Sequence, residues 1–278
     1  MMAADSPALS SAGESVNGSA TTDHPIAGSR PPWSRVFFRG LAAVTLVYPL
    51  VYCSSYAVVV GDTPLAFAVA FCFGVLASGV IGIGAFMVRP RSSMLTETRI
   101  VCGLLGFRRP EPARWRRRPL LVWCVVVPVL LAAVHFGLDT VIGTVWHPVS
   151  DAEQLRANAE RAEILTRNGA LSAAVLYPFL VAAVPEEIRY RALVLLTQRA
   201  VGACTIPRWV GFLVVAAVAG LSIALFAAAH AEYGPMNLVT SAIGGVIYTG
   251  LVLYTRSLWP AISCHGFYDL MAISLTIL

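Results

Sequence analysis

The chain contains no lysine: all 20 of its basic residues are arginine. Charged residues of both signs fill only 13% of its 278 positions, about half of what a soluble domain carries. With 57% hydrophobic residues and a mean hydropathy of +0.72, this shortage of charge excludes an ordinary water-soluble fold and makes lipid the solvent for most of the chain. The six cysteines (Cys53, Cys72, Cys102, Cys124, Cys204 and Cys264) include no C-x-x-C pair, which excludes a zinc ribbon and a disulfide framework and leaves them as small buried apolar side chains. Residues 1–34 hold no apolar stretch long enough for the core of a cleaved signal peptide. Their Ser, Ala, Gly, Pro and Asp content reads as a disordered cytoplasmic tail. No internal repeat appears.

Long apolar runs are what the chain has instead. A hydrocarbon core of roughly 30 Å asks for about 20 apolar residues per helix. Runs of that kind lie at about Val36–Val60, Leu65–Val88, Leu120–Val141, Ala170–Leu196, Trp209–Ala229, Met236–Tyr254 and Leu258–Leu278. The predicted fold is therefore all-α, a polytopic transmembrane bundle of about seven or eight helices around a polar intramembrane cavity. It divides into the tail 1–34, a membrane region 35–168 and a helical core 169–278.

The net charge of +5 and pI near 9.0 do not point to nucleic acid. Nine arginines (Arg89, Arg91, Arg99, Arg108, Arg109, Arg114, Arg116, Arg117 and Arg118) crowd the link between the second and third runs, a topogenic pattern that assigns this link to the cytoplasm. Two runs precede it, so a multi-pass protein of the cell membrane with a cytoplasmic N-terminus is expected. The loop Trp146–Asn168 then lies outside, with the mixed charges of an exposed amphipathic helix over Asp151–Arg167.

An ionisable residue in a membrane helix costs at least ~2.5–3.5 kcal/mol on insertion scales, so it calls for a function. Three such places occur in the core. The first is Pro185-Glu186-Glu187-Ile188-Arg189-Tyr190-Arg191. Glu187 and Arg191 are four apart and share a helical face, while Glu186 points about 100° away. One carboxylate can be engaged by the arginine while its neighbour acts as a base. The second is Phe226-Ala227-Ala228-Ala229-His230, ending a helix whose small residues permit close packing. The third is His265-Gly266-Phe267-Tyr268-Asp269, with His and Asp four apart. Glu186 or Glu187, His230, His265 and Asp269 supply the base, the imidazoles and the polar wall that peptide hydrolysis in a bilayer needs. Glutamate and imidazole also suit a divalent metal, with zinc their usual partner, although the H-E-x-x-H of soluble zinc peptidases is lacking. The competing reading of the same charges is a non-catalytic scaffold or a transporter with an ion path, but no internal symmetry of the transporter kind is visible.

E-E-x-x-x-R, F-x-x-x-H and H-x-x-x-N/D, in that order on successive helices, resemble the CAAX-protease and bacteriocin-processing (Abi) family of intramembrane peptidases. The stretch Thr255-Arg256-Ser257-Leu258-Trp259 resembles that family's T-G-S-L-W segment, with Arg256 in place of the glycine. The similarity spans about Ala170 to Leu278. It implies an intramembrane endopeptidase acting on a peptide or membrane protein, with Glu186 activating water with help from His230, His265 and Asp269 stabilising the oxyanion or helping to bind metal, and Glu187 and Arg191 in an orienting role beside Phe226. A metal, if used, implies Glu186, His230 and His265 as ligands. Asp269 stands where many relatives have asparagine, and an ionised aspartate cannot donate a hydrogen bond.

Two further expectations follow from the sequence. His135 and Asp139 repeat the H-x-x-x-D spacing in the third run but match no family motif, and are placed toward the outer interface, apart from the site. At ~1.5 Å per residue His230 falls about 31 Å along its helix from Trp209, and His265 only about 10 Å beyond Leu258. Their meeting requires tilted or staggered helices.

Overall fold

A computed structural model of the chain describes residues 37, 40–41, 103–111, 119–146, 156, 159, 172–231 and 234–277. Among these the fold is entirely helical, with no strand. The predicted runs Val36–Val60 and Leu65–Val88, most of the arginine-rich link, the N-terminal tail and most of the loop 146–168 fall outside the described residues.

Five α-helices of 19 to 21 residues form the bundle: α1 (Val127–Val145), α2 (Val184–Gly202), α3 (Arg208–Ala228), α4 (Pro235–Thr255) and α5 (Trp259–Ile277). Two of them are extended at their N-termini by π-wound turns, Val122–Val126 before α1 and Ser172–Ala183 before α2. The longer π segment contains Pro178, which lacks the N–H that regular α winding uses. Pro235 stands in the first turn of α4, where its missing N–H has no helical partner to lose, whereas Pro128 and Pro185 lie just past the points where π winding gives way to α winding.

Val122–Val145, Arg208–Ala228 and Pro235–Thr255 are long and apolar enough to cross a membrane, and they coincide with three of the seven predicted runs. The predicted runs Ala170–Leu196 and Leu258–Leu278 are helical over residues 172–196 and 259–277, but α2 and α5 are not among these candidate spans. They carry the ionisable residues whose presence lowers their hydropathy. Their shelter comes from neighbours: α5 packs against α1, the Ser172–Ala183 segment, α4 and α2, while α2 packs against α3 and α4. Leu221, Leu225, Phe212 and Trp209 on α3 stay exposed, the pattern of a surface facing lipid.

At one end of the bundle the segment 103–111 is clamped to the α4–α5 connection. Leu258 N donates to Gly106 O at 2.9 Å and Glu111 N to Thr255 O at 3.0 Å. Ser257 Oγ donates to Arg108 O at 2.6 Å, and Arg199 donates to the carbonyls of Gly103 and Leu104. Arg256 ends α4 in the left-handed conformation at φ 52°, normally the place of glycine. Its side chain reaches Glu111 Oε2 at 3.3 Å. Phe107 meets Trp259 edge to face, and Trp123 meets Tyr254, an aromatic grouping of the kind found where membrane meets water.

Gly106 makes this clamp possible. Its φ is +94°, and a Cβ there would fall 2.5 Å from Leu195 Cδ2 and 3.0 Å from Leu258 Cγ, both buried leucines. Gly106→Ala is expected to destabilise the detergent-solubilised protein by about 1–3 kcal/mol, read as a lowered thermal unfolding midpoint.

Candidate active site

The polar residues predicted from the three motifs come together. Glu186 and Glu187 follow Pro185 in the first turn of α2, just past the point where the π-wound segment gives way to regular α winding. The helical step divides their environments. Glu187 is fully buried, whereas the side chain of Glu186 is 30% exposed.

Glu187 joins two helices. Its Oε1 lies 3.0 Å from His265 Nδ1 on α5, and its Oε2 lies 3.5 Å from Nε of Arg191, itself fully buried one turn along α2. The Arg191 guanidinium is 4.1 Å from the centre of the Phe226 ring and within 5.7 Å of the Tyr190 and Tyr248 rings. Cation–π attraction to these rings stands in for the water the cation has lost. Gly245 brings the α4 backbone close, since a Cβ there would meet Phe226 at 3.4 Å and Arg191 Nη2 at 3.6 Å.

Hydrogen-bond chemistry fixes the two imidazoles. His230 Nδ1 lies 2.8 Å from the Phe226 carbonyl oxygen, which can only accept, so Nδ1 carries the hydrogen. His265 Nδ1 faces the Glu187 carboxylate, paired with Arg191, and donates to it in the same way. In the neutral rings both Nε2 atoms therefore present lone pairs, and both face Glu186 Oε2, at 3.9 Å from His230 and 3.8 Å from His265. That oxygen is buried and accepts no hydrogen bond from the described residues. Asp269 Oδ2 adds a fourth acceptor, 3.6 Å from His265 Nε2. Acceptors converging in this way suit a water, a shared proton or a cation.

The donor types and the Nδ1 anchoring fit a divalent metal, whose histidine ligands usually donate their second ring nitrogen to a carboxylate or carbonyl. The spacing is more open than a bound ion needs, because tetrahedral zinc with bonds of about 2.0–2.1 Å sets its ligand atoms about 3.4 Å apart. Among the described residues no group of three or more His, Cys, Asp or Glu is drawn together tightly enough to hold a metal ion.

The anticipated difference in depth between His230 and His265 is removed by an offset of α3. Ser222 Oγ donates to Tyr190 O at 2.6 Å, and the Phe226 ring lies 6.3 Å from that of Tyr248 in the middle of α4. The last turns of α3 thus meet the centre of its neighbour, not its start. His230 follows in the turn beyond the helix end.

Sequence reasoning missed Tyr248, whose ring stacks on His265 at 4.8 Å and 15°. The available signal was a phenol in an apolar helix, because a buried hydroxyl needs a partner. His135 was placed toward the outer interface, but it is 2% exposed and lies within the bundle. Glu232 and Tyr233, which follow His230 in the sequence, fall outside the described residues.

Residues 168–271 match the Rce1-like family, described as type II CAAX prenyl endopeptidase Rce1-like. The matched stretch holds every predicted site residue and leaves out α1. No curated protein and no solved structure matches the chain.

The unequal burial of the two glutamates separates their effects. Glu187→Ala leaves the Arg191 charge buried without its carboxylate and is expected to cost about 3–5 kcal/mol of stability. Glu186→Ala should leave the thermal unfolding midpoint nearly unchanged. Unfolding of both variants in the same detergent checks the contrast.

Proposed function

We propose that this chain is an intramembrane endopeptidase in which Glu186 activates the attacking water, on the premise that its C-terminal core matches an endopeptidase family. The observation that carries this reading is the convergence of Glu186, His230 and His265, from three separate stretches of chain, on one carboxylate oxygen. An oxygen that accepts no hydrogen bond from the described residues is suited to take a proton from water.

The reaction begins with a water hydrogen-bonded to Glu186 Oε2 and to one imidazole Nε2. Glu186 takes its proton as the oxygen attacks the scissile carbonyl, and later passes that proton to the leaving amine, so no covalent intermediate with the chain forms. His265, flanked by Glu187 and Asp269, is the group placed to hold a second proton and to donate Nε2–H to the oxyanion. His230, held by the Phe226 carbonyl, orients the water. Glu186, His230 and His265 are also the residues that would hold a divalent ion such as zinc, which would polarise the water and the carbonyl. The substrate is a peptide or membrane protein presented within the bilayer. The Arg108, Arg199 and Arg256 end of the bundle is assigned to the cytoplasm, in keeping with an arginine-rich link and a cytoplasmic N-terminus in a multi-pass protein of the cell membrane.

Membrane fractions from cells expressing the wild type and Glu186→Ala, compared by proteomics, test the reaction. A fragment made by the wild type and reduced by about 10²-fold or more in the variant is the expected result. The same fragment at the same level in both overturns the assignment.

Asp269 provides a second check. Asp269→Asn, the alternative in the H-x-x-x-N/D pattern that the chain resembles, is expected to retain turnover of that fragment's precursor. Asp269→Leu, which removes the polar group, is expected to lower turnover by about 10²-fold.

A further inference from the structure

His135 and Asp139 lie on α1, outside the stretch matched to the endopeptidase family and outside all three motifs. Their surroundings are nevertheless continuous with the site. His135 Nε2 lies 2.9 Å from the Thr240 carbonyl oxygen, an acceptor, so Nε2 carries the hydrogen and Nδ1 of the neutral ring accepts. The atom facing Nδ1 is the Tyr248 hydroxyl, 3.3 Å away and therefore the donor. The opposite end of this contact is the ring of Tyr248 stacked on His265.

A second arm runs in parallel. The Tyr268 ring stacks on His135 at 4.0 Å and 18°, and its hydroxyl donates to Asp139 Oδ2 at 2.9 Å. Tyr268 directly precedes Asp269 on α5. Gly244 admits His135 to this position, because a Cβ there would lie 2.6 Å from His135 Cε1 and 3.3 Å from Tyr248.

We propose that α1 completes the active site, with His135 a positioning residue that fixes Tyr248 against the face of His265, and Asp139 a positioning residue that fixes Tyr268 beside Asp269. The inference rests on the hydrolytic reading given above for His265 and Asp269. Glu187 holds His265 at Nδ1 and the perpendicular Phe226 ring lies 5.8 Å off, so neither lies flat against the imidazole to stop it tilting. The Tyr248 face removes that tilt and keeps Nε2 directed at Glu186. Tyr248 in turn is set by His135, which is itself fixed by the α4 backbone on one side and Tyr268 on the other.

The test uses the full chain reconstituted in lipid vesicles, with the precursor of the fragment that separates wild type from Glu186→Ala as substrate. His135→Ala and Tyr248→Phe are each expected to lower kcat by about tenfold or more with KM unchanged. Their double variant should be no worse than His135→Ala alone, since Tyr248→Phe removes only the hydrogen bond that His135→Ala already removes. Tyr248→Phe keeps the stacked ring and the fold, so it decides the matter if His135→Ala misfolds. Wild-type kcat in Tyr248→Phe, or fully additive losses in the double variant, overturns the proposal.

Nitrogen-15 NMR of the His265 imidazole provides a readout that needs no cleavage. In the wild type one sharp signal with hydrogen on Nδ1 is expected, and in Tyr248→Phe a shifted or broadened one. If the wild type cleaves nothing, the hydrolytic reading fails and this signal alone decides the positioning role: a change in Tyr248→Phe supports it, and an unchanged signal overturns it.

Discussion

A buried carboxylate with two partners organises the core of this protein. Glu187 accepts from His265 with one oxygen and faces Arg191 with the other, and both it and Arg191 are wholly removed from solvent. Removal of either charge from a low-dielectric interior leaves the other uncompensated, and the cost of that state forces the two to stay together. Because Glu187 and Arg191 are on α2 and His265 is on α5, the same interaction fixes the relation between these helices. The free choice left to the adjacent glutamate is a consequence. With Glu187 committed to structure, Glu186 is left to face the imidazoles.

Phe226 is the second organising element. Its ring covers the Arg191 guanidinium, its carbonyl holds His230, and its edge contacts bring in Tyr190, Tyr248 and His265. One residue therefore connects the buried cation with both imidazoles. The serine one turn earlier, bonded to the Tyr190 carbonyl, keeps the end of α3 at the level where this is possible.

Much of this arrangement was legible in the sequence because local spacing carried it. Glu187 and Arg191, and His265 and Asp269, are each four apart, so helical geometry alone puts each pair on one face. The different surroundings of the two glutamates also followed from the helical step between them. The contacts of His135 were not legible, because its partners Thr240, Tyr248 and Tyr268 come from α4 and α5 and nothing in local periodicity relates those positions. The need for a stagger between α3 and α5 was legible, but its size and contacts were not, for a related reason. Counting residues along an axis gives length, whereas the offset between helices is set by which side chains interlock. The arginine-rich link, although prominent in the sequence, lies mostly outside the described residues, and the part that is described serves as a clamp on the α4–α5 turn.

The contact between His135 and Gly244 joins an imidazole edge to a bare stretch of helical backbone. Neither position has room to change independently: any side chain larger than hydrogen at 244 needs a smaller or displaced one at 135, and losing the ring at 135 leaves an opening beside the α4 backbone. The two sites form a lock whose halves must be recut together, which makes this pairing a point where drift in the first helix of the bundle reaches the polar cluster on the last.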